Sequence, residues 1–169
     1  MVSSYEAFLE GVKPSAYENL DMLSQSELIP ALKKHPAWNE CENFWMFFQS
    51  EGQKERFLSQ YLHSTDSEQH RLLGLELGYP PRAVDFYVKI LHETSHPTVG
   101  VHYHGYNFTS CIHDLEENIK WLWSTHKIVD SVEVRFNQES YQIRHLDIND
   151  LQTALEEVHK KTNVLESAM

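Results

Sequence analysis

The chain has 169 residues, of which 14 are Lys or Arg and 25 are Asp or Glu, so its formal net charge is −11 with the 11 histidines neutral. Hydrophobic residues make up 41% and aromatic residues 12%, which is enough apolar material for a core and excludes a wholly disordered chain. The length predicts one domain, or two small subdomains that share a core, and the acidic balance disfavours a protein that binds the phosphate backbone of nucleic acids.

The first half of the chain has the pattern of a helical protein. In four places a Ser or Thr is followed three positions later by Glu, the capping box in which hydroxyl and carboxylate satisfy the free amides of a helix start. These boxes begin at Ser3, Ser15, Ser24 and Thr65. Gly52 and Gly78 suit helix ends, and Pro81 suits a first helical turn. We therefore predict helices near residues 4–12, 16–23, 26–34, 40–50, 53–63, 66–77 and 81–93.

The second half predicts a small mixed sheet. Residues 98–108 are rich in β-forming side chains, and residues 128–136 and 140–146 read as two strands joined by a hairpin loop at 137–139. Helical spacing of apolar side chains predicts helices near 111–124 and 150–161. We expect an α+β fold with a helical subdomain over 1–92, packed on a β-α-β-β-α subdomain over 93–169.

One sharp motif lies between the two halves. His92-Glu93-Thr94-Ser95-His96 fits the pattern H-E-x-x-H, in which two histidines on one helix face bind Zn²⁺ and the glutamate acts as general base. Over these five residues the chain resembles the zinc metallopeptidases of the zincin type. The resemblance implies that His92 and His96 are zinc ligands and Glu93 the base. A third ligand would come from the residues that follow, where the candidates are His102, His104, His113, Glu116 and Glu117.

The residue after the motif argues against a continuous helix. Pro97 follows His96 directly, and the residue before a proline is pushed out of the α-helical region. We therefore expect the helix to end before His96 completes an i, i+4 pair with His92. No cofactor is favoured on these grounds, and zinc remains the alternative.

Histidines are concentrated near the motif. Five of the 11 lie within residues 92–113, and His102 and His104 stand at i and i+2 on a predicted strand, which would place both on one side. Neutral imidazoles from a helix end and a strand could hold a transition metal or serve as an acid–base centre. The simpler interpretation is a solvated polar face of a strand and a loop.

Helix 111–124 suggests a surface for a partner. Its apolar side chains form one face, whereas Trp121 falls on the opposite side with Asp114, Glu117 and Asn118. Tryptophan is enriched at the centres of protein interfaces, so Trp121, Asp114 and Glu117 are candidate partner-binding residues. The alternative is that Trp121 is covered by the helical subdomain and belongs to the core.

The remaining signals concern the compartment. We see no basic and apolar leader at the N-terminus, and no apolar run approaches the roughly 18 residues of a membrane span. Cys41 and Cys111 form neither a disulfide framework nor a Cys-x-x-Cys pair. We expect a cytoplasmic protein without a membrane partner.

Three functions are compatible with the sequence. The preferred hypothesis is a small acidic interaction module, such as an inhibitor, immunity or regulatory protein, whose charge steers it toward a basic protein partner. The alternative is a zinc-dependent hydrolase that uses His92, Glu93 and His96. An enzyme without a visible motif is a third, weaker alternative.

Overall fold

The computed structural model describes residues 2–23, 26–91, 97–126, 128 and 130–167, with side chains described through residue 162. The chain divides into two compact units, Met1–Tyr79 and Pro80–Met169. Each contains an antiparallel sheet and several helices. The expected α+β architecture of a helical N-terminal half and a β-α-β-β-α C-terminal half is therefore wrong, because strands and helices are mixed in both halves.

The first unit is built around a three-stranded sheet. Its elements are α1 (Ser4–Leu9), β1 (Ser15–Asn19), α2 (Ile29–Leu32), β2 (Ala37–Cys41), β3 (Phe44–Phe48), α3 (Glu51–Tyr61) and α4 (Asp66–Glu76). The strand order is β1-β3-β2, and both pairings are antiparallel. The predicted helices near 53–63 and 66–77 correspond to α3 and α4. Strands stand where we predicted helices at 16–23 and 40–50.

The predicted capping boxes at Ser3 and Ser15 have different outcomes in the structure. Ser3 and Glu6 form the full reciprocal box at the start of α1. Ser15 instead begins β1, and its hydroxyl donates to the backbone carbonyl of Glu76 at 2.7 Å. The same short pattern thus occurs in a strand, because its hydroxyl finds an acceptor that is distant in sequence. The box at Ser24 lies outside the described residues.

The central strand β3 explains the error at 40–50. All five of its residues are aromatic or Met, and Met46, Phe47 and Phe48 are buried. A strand covered on both faces shows a continuous apolar run, which periodicity cannot distinguish from a short buried helix. Phe47 packs into a cluster with Phe8 of α1 and Leu32 of α2. Met46 and Phe48 pack in a second cluster with Phe57 and Tyr61 of α3. Helices therefore cover both faces of this sheet.

The second unit has a four-stranded sheet with order β5-β4-β6-β7. Its elements are α5 (Pro81–Ile90), β4 (Thr98–Tyr103), β5 (Tyr106–Cys111), a short 3-10 helix (Ile112–Asp114), α6 (Leu115–Thr125), β6 (Val132–Phe136), β7 (Glu139–Ile143) and α7 (Ile148–Ser167). Residues 98–108 are thus part of a hairpin rather than one strand. The hairpins turn through residue pairs with positive φ, His104–Gly105 and Asn137–Gln138, as two-residue turns between twisted strands require.

Alternation along the strands of this sheet produces a buried face and a polar face. Val101 and Tyr103 of β4 and Val134 of β6 are buried, whereas His102 and Glu133 lie on the other side of the same strands. Within the part of the chain that the structure describes, no helix is long and apolar enough to cross a membrane.

Candidate functional site

The zincin-like motif cannot be placed. His92, Glu93 and His96 lie outside the described residues, as does the backbone before Pro97 whose conformation we predicted. Helix α5 ends at Ile90, with Leu91 as its C-cap. Among the residues that are described, no group of three or more His, Cys, Asp or Glu side chains could hold a metal ion. The zinc site therefore remains a prediction from the sequence.

The two histidines that follow occupy different structural positions. His102 is on β4, whereas His104 is in the turn after β4, with φ of 40° and its Nδ1 3.2 Å from Oδ2 of Asp130. The strand spacing that would place both on one side therefore does not apply. Burial lowers the pKa of His102, and Arg135 lowers it further, against an opposing effect of Glu133. These effects favour a neutral imidazole at His102.

On the polar face beside His102, the carboxylate of Glu133 already has local hydrogen-bond donors. Glu133, directly opposite His102, accepts two hydrogen bonds from Arg135 at 3.0 and 2.9 Å and one from Ser140 at 2.6 Å. The hydrogen bonds from Arg135 and Ser140 lower the pKa of Glu133 to about 2. A carboxylate held in this way is a poor proton acceptor near neutral pH.

Asp114 and Glu117, which we predicted to bind a partner protein, form ion pairs within their own unit. Arg82 of α5 lies 3.1 Å from Oδ1 of Asp114 and 2.8 Å from Oε2 of Glu117. Trp121 is half-buried, with its ring edge-to-face against His126 at 5.5 Å between centroids. Asn118, predicted on the same polar side, is buried and donates to Ser110 at 2.9 Å. This surface is therefore less acidic and less open than the sequence suggested.

The first unit contains a cluster that the sequence did not reveal. Strand β2 changes register against β3 between Asn39 and Cys41, so Glu40 has no cross-strand partner. Such bulges redirect a side chain and are common beside functional sites. The hydroxyl of Tyr17 donates to Oε2 of Glu40, and the hydroxyl of Tyr61 donates to Oε1. Two phenols, one from β1 and one from α3, thus hold the two oxygens of one carboxylate.

Each of these phenols packs against a second aromatic ring. The ring of Phe44 stacks on Tyr17, with 5.5 Å between centroids and 22° between planes. The indole of Trp38 meets Tyr61 edge-to-face at 5.2 Å. We refer to the five side chains Tyr17, Trp38, Glu40, Phe44 and Tyr61 as the Glu40 cluster. Phe44 is 38% exposed, so solvent reaches one side of the cluster.

The carboxylate of Glu40 has no cation beside it among the described residues. Among the described residues its side-chain partners are the two phenols alone, and no Lys, Arg or His pairs with it. Burial, and then the hydrogen bond and charge of Glu40, raise the pKa values of Tyr17 and Tyr61, so both phenols keep their protons over the physiological pH range. The cluster therefore presents a negative charge that is fixed in position and not neutralised.

Sequence reasoning missed the Glu40 cluster because it assigned residues 40–50 to a helix. A usable signal was present in Glu42-Asn43, a pair suited to a turn, which would interrupt the predicted helix. Glu42 indeed adopts a positive φ of 41°. The contacts with Tyr17 and Tyr61 had no local signal, since both residues are more than 20 positions away.

Comparison of the chain with protein-family models, with curated proteins and with solved structures finds no match. What the protein does is therefore inferred from the contacts and charges of its own residues.

The zinc hypothesis can be tested by metal analysis. Because Pro97 disfavours a helical His96, we expect purified protein, dialysed against a weak chelator, to hold far less than one zinc ion per chain. We expect His92→Ala, and His63→Ala as a control outside the motif, to have the same metal content. Stoichiometric zinc that is lost in His92→Ala and kept in His63→Ala would establish the metal site and favour the hydrolase.

Proposed function

We propose that this protein is an acidic interaction module that binds a basic protein partner, rather than an enzyme. The observation that supports this proposal is the unneutralised carboxylate of Glu40, fixed by two phenols at a partly open aromatic surface. A charge held without a counter-ion can attract a cation from a partner with little reorganisation.

The distribution of ion pairs favours the first unit as the binding unit. Met1–Tyr79 has twice as many acidic as basic residues. In the second unit many acids are paired within the unit, including Asp114 and Glu117 with Arg82, and Asp150 with Arg144. A partner that bound at Asp114 and Glu117 would have to displace Arg82, whereas a cation that approached Glu40 would displace no cation among the described residues.

The two cysteines bear on the compartment of the proposed interaction module. Both cysteines are free, and Cys41 is exposed beside the cluster, which suits a reducing cytoplasm. We therefore propose a cytoplasmic inhibitor, immunity or regulatory protein. The zinc hydrolase retains only the motif at His92, Glu93 and His96 as support.

The proposal is tested by the dependence of binding on one carboxylate. Wild-type protein, Glu40→Gln and Glu42→Gln are used as baits in an extract of the source cells, and the protein retained in stoichiometric amount is purified for titration. We expect its dissociation constant to rise about fivefold for Glu40→Gln and to stay unchanged for Glu42→Gln, which removes an equal charge from the adjacent turn. Affinity should also fall as salt increases.

Two results would contradict the proposed function. One is a partner whose affinity is the same for wild type and Glu40→Gln at every salt concentration. The other is a partner that loses affinity only for Glu117→Gln or Trp121→Ala, which would return the interface to α6.

A further inference from the structure

We propose that His113 and His159 form a surface site for a zinc ion in the second unit. The two imidazoles lie on different elements, His113 on the short 3-10 helix before α6 and His159 on α7. Their ring centroids are 6.1 Å apart, with 36° between the ring planes. This histidine pair is distinct from the motif at residues 92–96, and it goes beyond the proposed function without depending on it.

The backbone of each histidine is fixed by a buried neighbour. Ile112, directly before His113, is 1% exposed, and Val158, directly before His159, is fully buried. Each imidazole therefore extends from a packed element at the rim of the core. His113 is exposed and His159 is half-buried, so an ion reaches the pair from solvent without entering a cavity.

A hydrogen bond of His159 selects the ring nitrogen that would bind the ion. Its Nδ1 lies 2.8 Å from the backbone carbonyl oxygen of Leu155, one helical turn earlier, so Nδ1 carries the proton and donates it to this oxygen. The lone pair of the ring is then on Nε2. Histidines that bind metals commonly donate their other ring N–H to a carbonyl in this way, which fixes the tautomer and raises the basicity of the ligating nitrogen.

The spacing of the rings is close to that of two imidazoles on one ion. A Zn–N bond is about 2.0–2.1 Å long, so two imidazoles on one tetrahedral zinc ion have their ring centres roughly 5 Å apart. The rings of His113 and His159 are about 1 Å further apart than this. Because His113 is exposed, a small rotation of its side chain closes the difference.

The donor set favours zinc over magnesium and calcium. Imidazole nitrogen is a good ligand for zinc and copper, whereas Mg²⁺ and Ca²⁺ take oxygen ligands. Among the described residues no third His, Cys, Asp or Glu joins the pair, so water fills the remaining positions on the ion. Such a site is weak, and the chelator in the dialysis described above empties it. A bound ion ties α7 to the turn that begins α6.

The experiment titrates the isotope-labelled, metal-free full chain with zinc chloride and follows the imidazole nitrogens of each histidine by NMR. We expect Nε2 of His159 and a ring nitrogen of His113 to shift along one binding curve. The Nδ1 of His159 should stay protonated, since it donates to Leu155. Magnesium chloride at the same concentrations should leave both rings unchanged.

Three variants locate the ion. In His113→Ala and in His159→Ala, we expect the zinc affinity of the remaining histidine to fall by at least about tenfold. His63→Ala, which removes an exposed histidine of the first unit, serves as the control with unchanged affinity. Thermal melts give a second readout, because zinc that binds only the folded chain raises the Tm, and either variant of the pair should reduce this rise. Circular dichroism of each metal-free variant checks that the fold is intact.

Three results would overturn the zinc site. The first is separate binding curves for His113 and His159. The second is a zinc affinity at His159 that is the same in wild type and His113→Ala. The third is an equal response of both rings to magnesium chloride, which would mean a general attraction of cations to an acidic protein. None of these results bears on the proposed function, which depends on Glu40 of the first unit.

Discussion

Replacing Phe47 with alanine is expected to lower the free energy of unfolding by about 3–5 kcal/mol. Phe47 is 1% exposed on β3, the central strand of the first sheet, and packs with Phe8 and Leu32 from two helices. Because it is enclosed by several elements, the surrounding side chains cannot collapse fully into the space it leaves. Urea or guanidinium denaturation of the purified variant measures the change.

Phe44→Ala provides the matched control on the same strand. Phe44 is 38% exposed, so its truncation should cost about 1–2 kcal/mol, less than that of Phe47. In the helix that the sequence predicted over 40–50, residues 44, 47 and 48 would share one face, and the two truncations would cost similar amounts. Equal costs for Phe44→Ala and Phe47→Ala would therefore contradict the strand.

How far the sequence predicted the fold depends on how local each signal was. In the second unit, α6 and the hairpin of β6 and β7 were placed within a few residues, because apolar spacing and the turn at Asn137–Gln138 are local features. In the first unit, β1 and β2 are five residues long and pair with the apolar run of β3. The pairing with β3 favours the strand conformation over the helix that the capping box at Ser15 and Glu18 predicted. No local sequence pattern indicates this pairing.

The candidate sites show the same limit. The histidine enrichment was visible in the sequence, but His102 and His104 occupy a strand and a turn, and the ring of His113 faces His159 of α7 at 6.1 Å between centroids. The Glu40 cluster was invisible, because its members come from β1, β2, β3 and α3. A binding surface assembled from distant residues can be predicted only after the strand register is known.

Lys13 is expected to contribute a rise of about 2 kcal/mol to the free energy of unfolding between pH 8 and pH 10, measured as the difference between wild type and Lys13→Met. Its side chain is 1% exposed, donates to Oγ of Ser4 at 3.1 Å and lies 5.0 Å from the ring centroid of Tyr79. Burial lowers the pKa of Lys13 to about 8, and the nearby charge of Glu18 opposes this only in part.

The sign follows from counting protons in each state. As the pH rises above about 8 the folded protein loses the Lys13 proton, while the unfolded chain keeps it until the pH approaches the ordinary pKa of lysine. The unfolded state therefore holds more protons, so the free energy of unfolding increases with pH, by at most about 1.4 kcal/mol per pH unit for one group. From about pH 9 upward this contribution is opposed in the whole protein, because burial raises the pKa values of Tyr17, Tyr61, Tyr79 and Tyr103 and the folded state then holds more phenolic protons than the unfolded chain.

Lys13→Met isolates this effect. The variant removes the titrating amine and keeps an apolar stem of similar length. Between pH 8 and pH 10 its free energy of unfolding should therefore change less favourably than that of wild type, by about 2 kcal/mol. The exposed Lys34, changed to Met in a control, should leave the rise intact. Chemical denaturation of the three proteins at half-unit pH steps gives the slopes. Parallel profiles for wild type and Lys13→Met would contradict the prediction, because they would mean that the buried amine keeps its proton, held by Ser4, Glu18 and the ring of Tyr79.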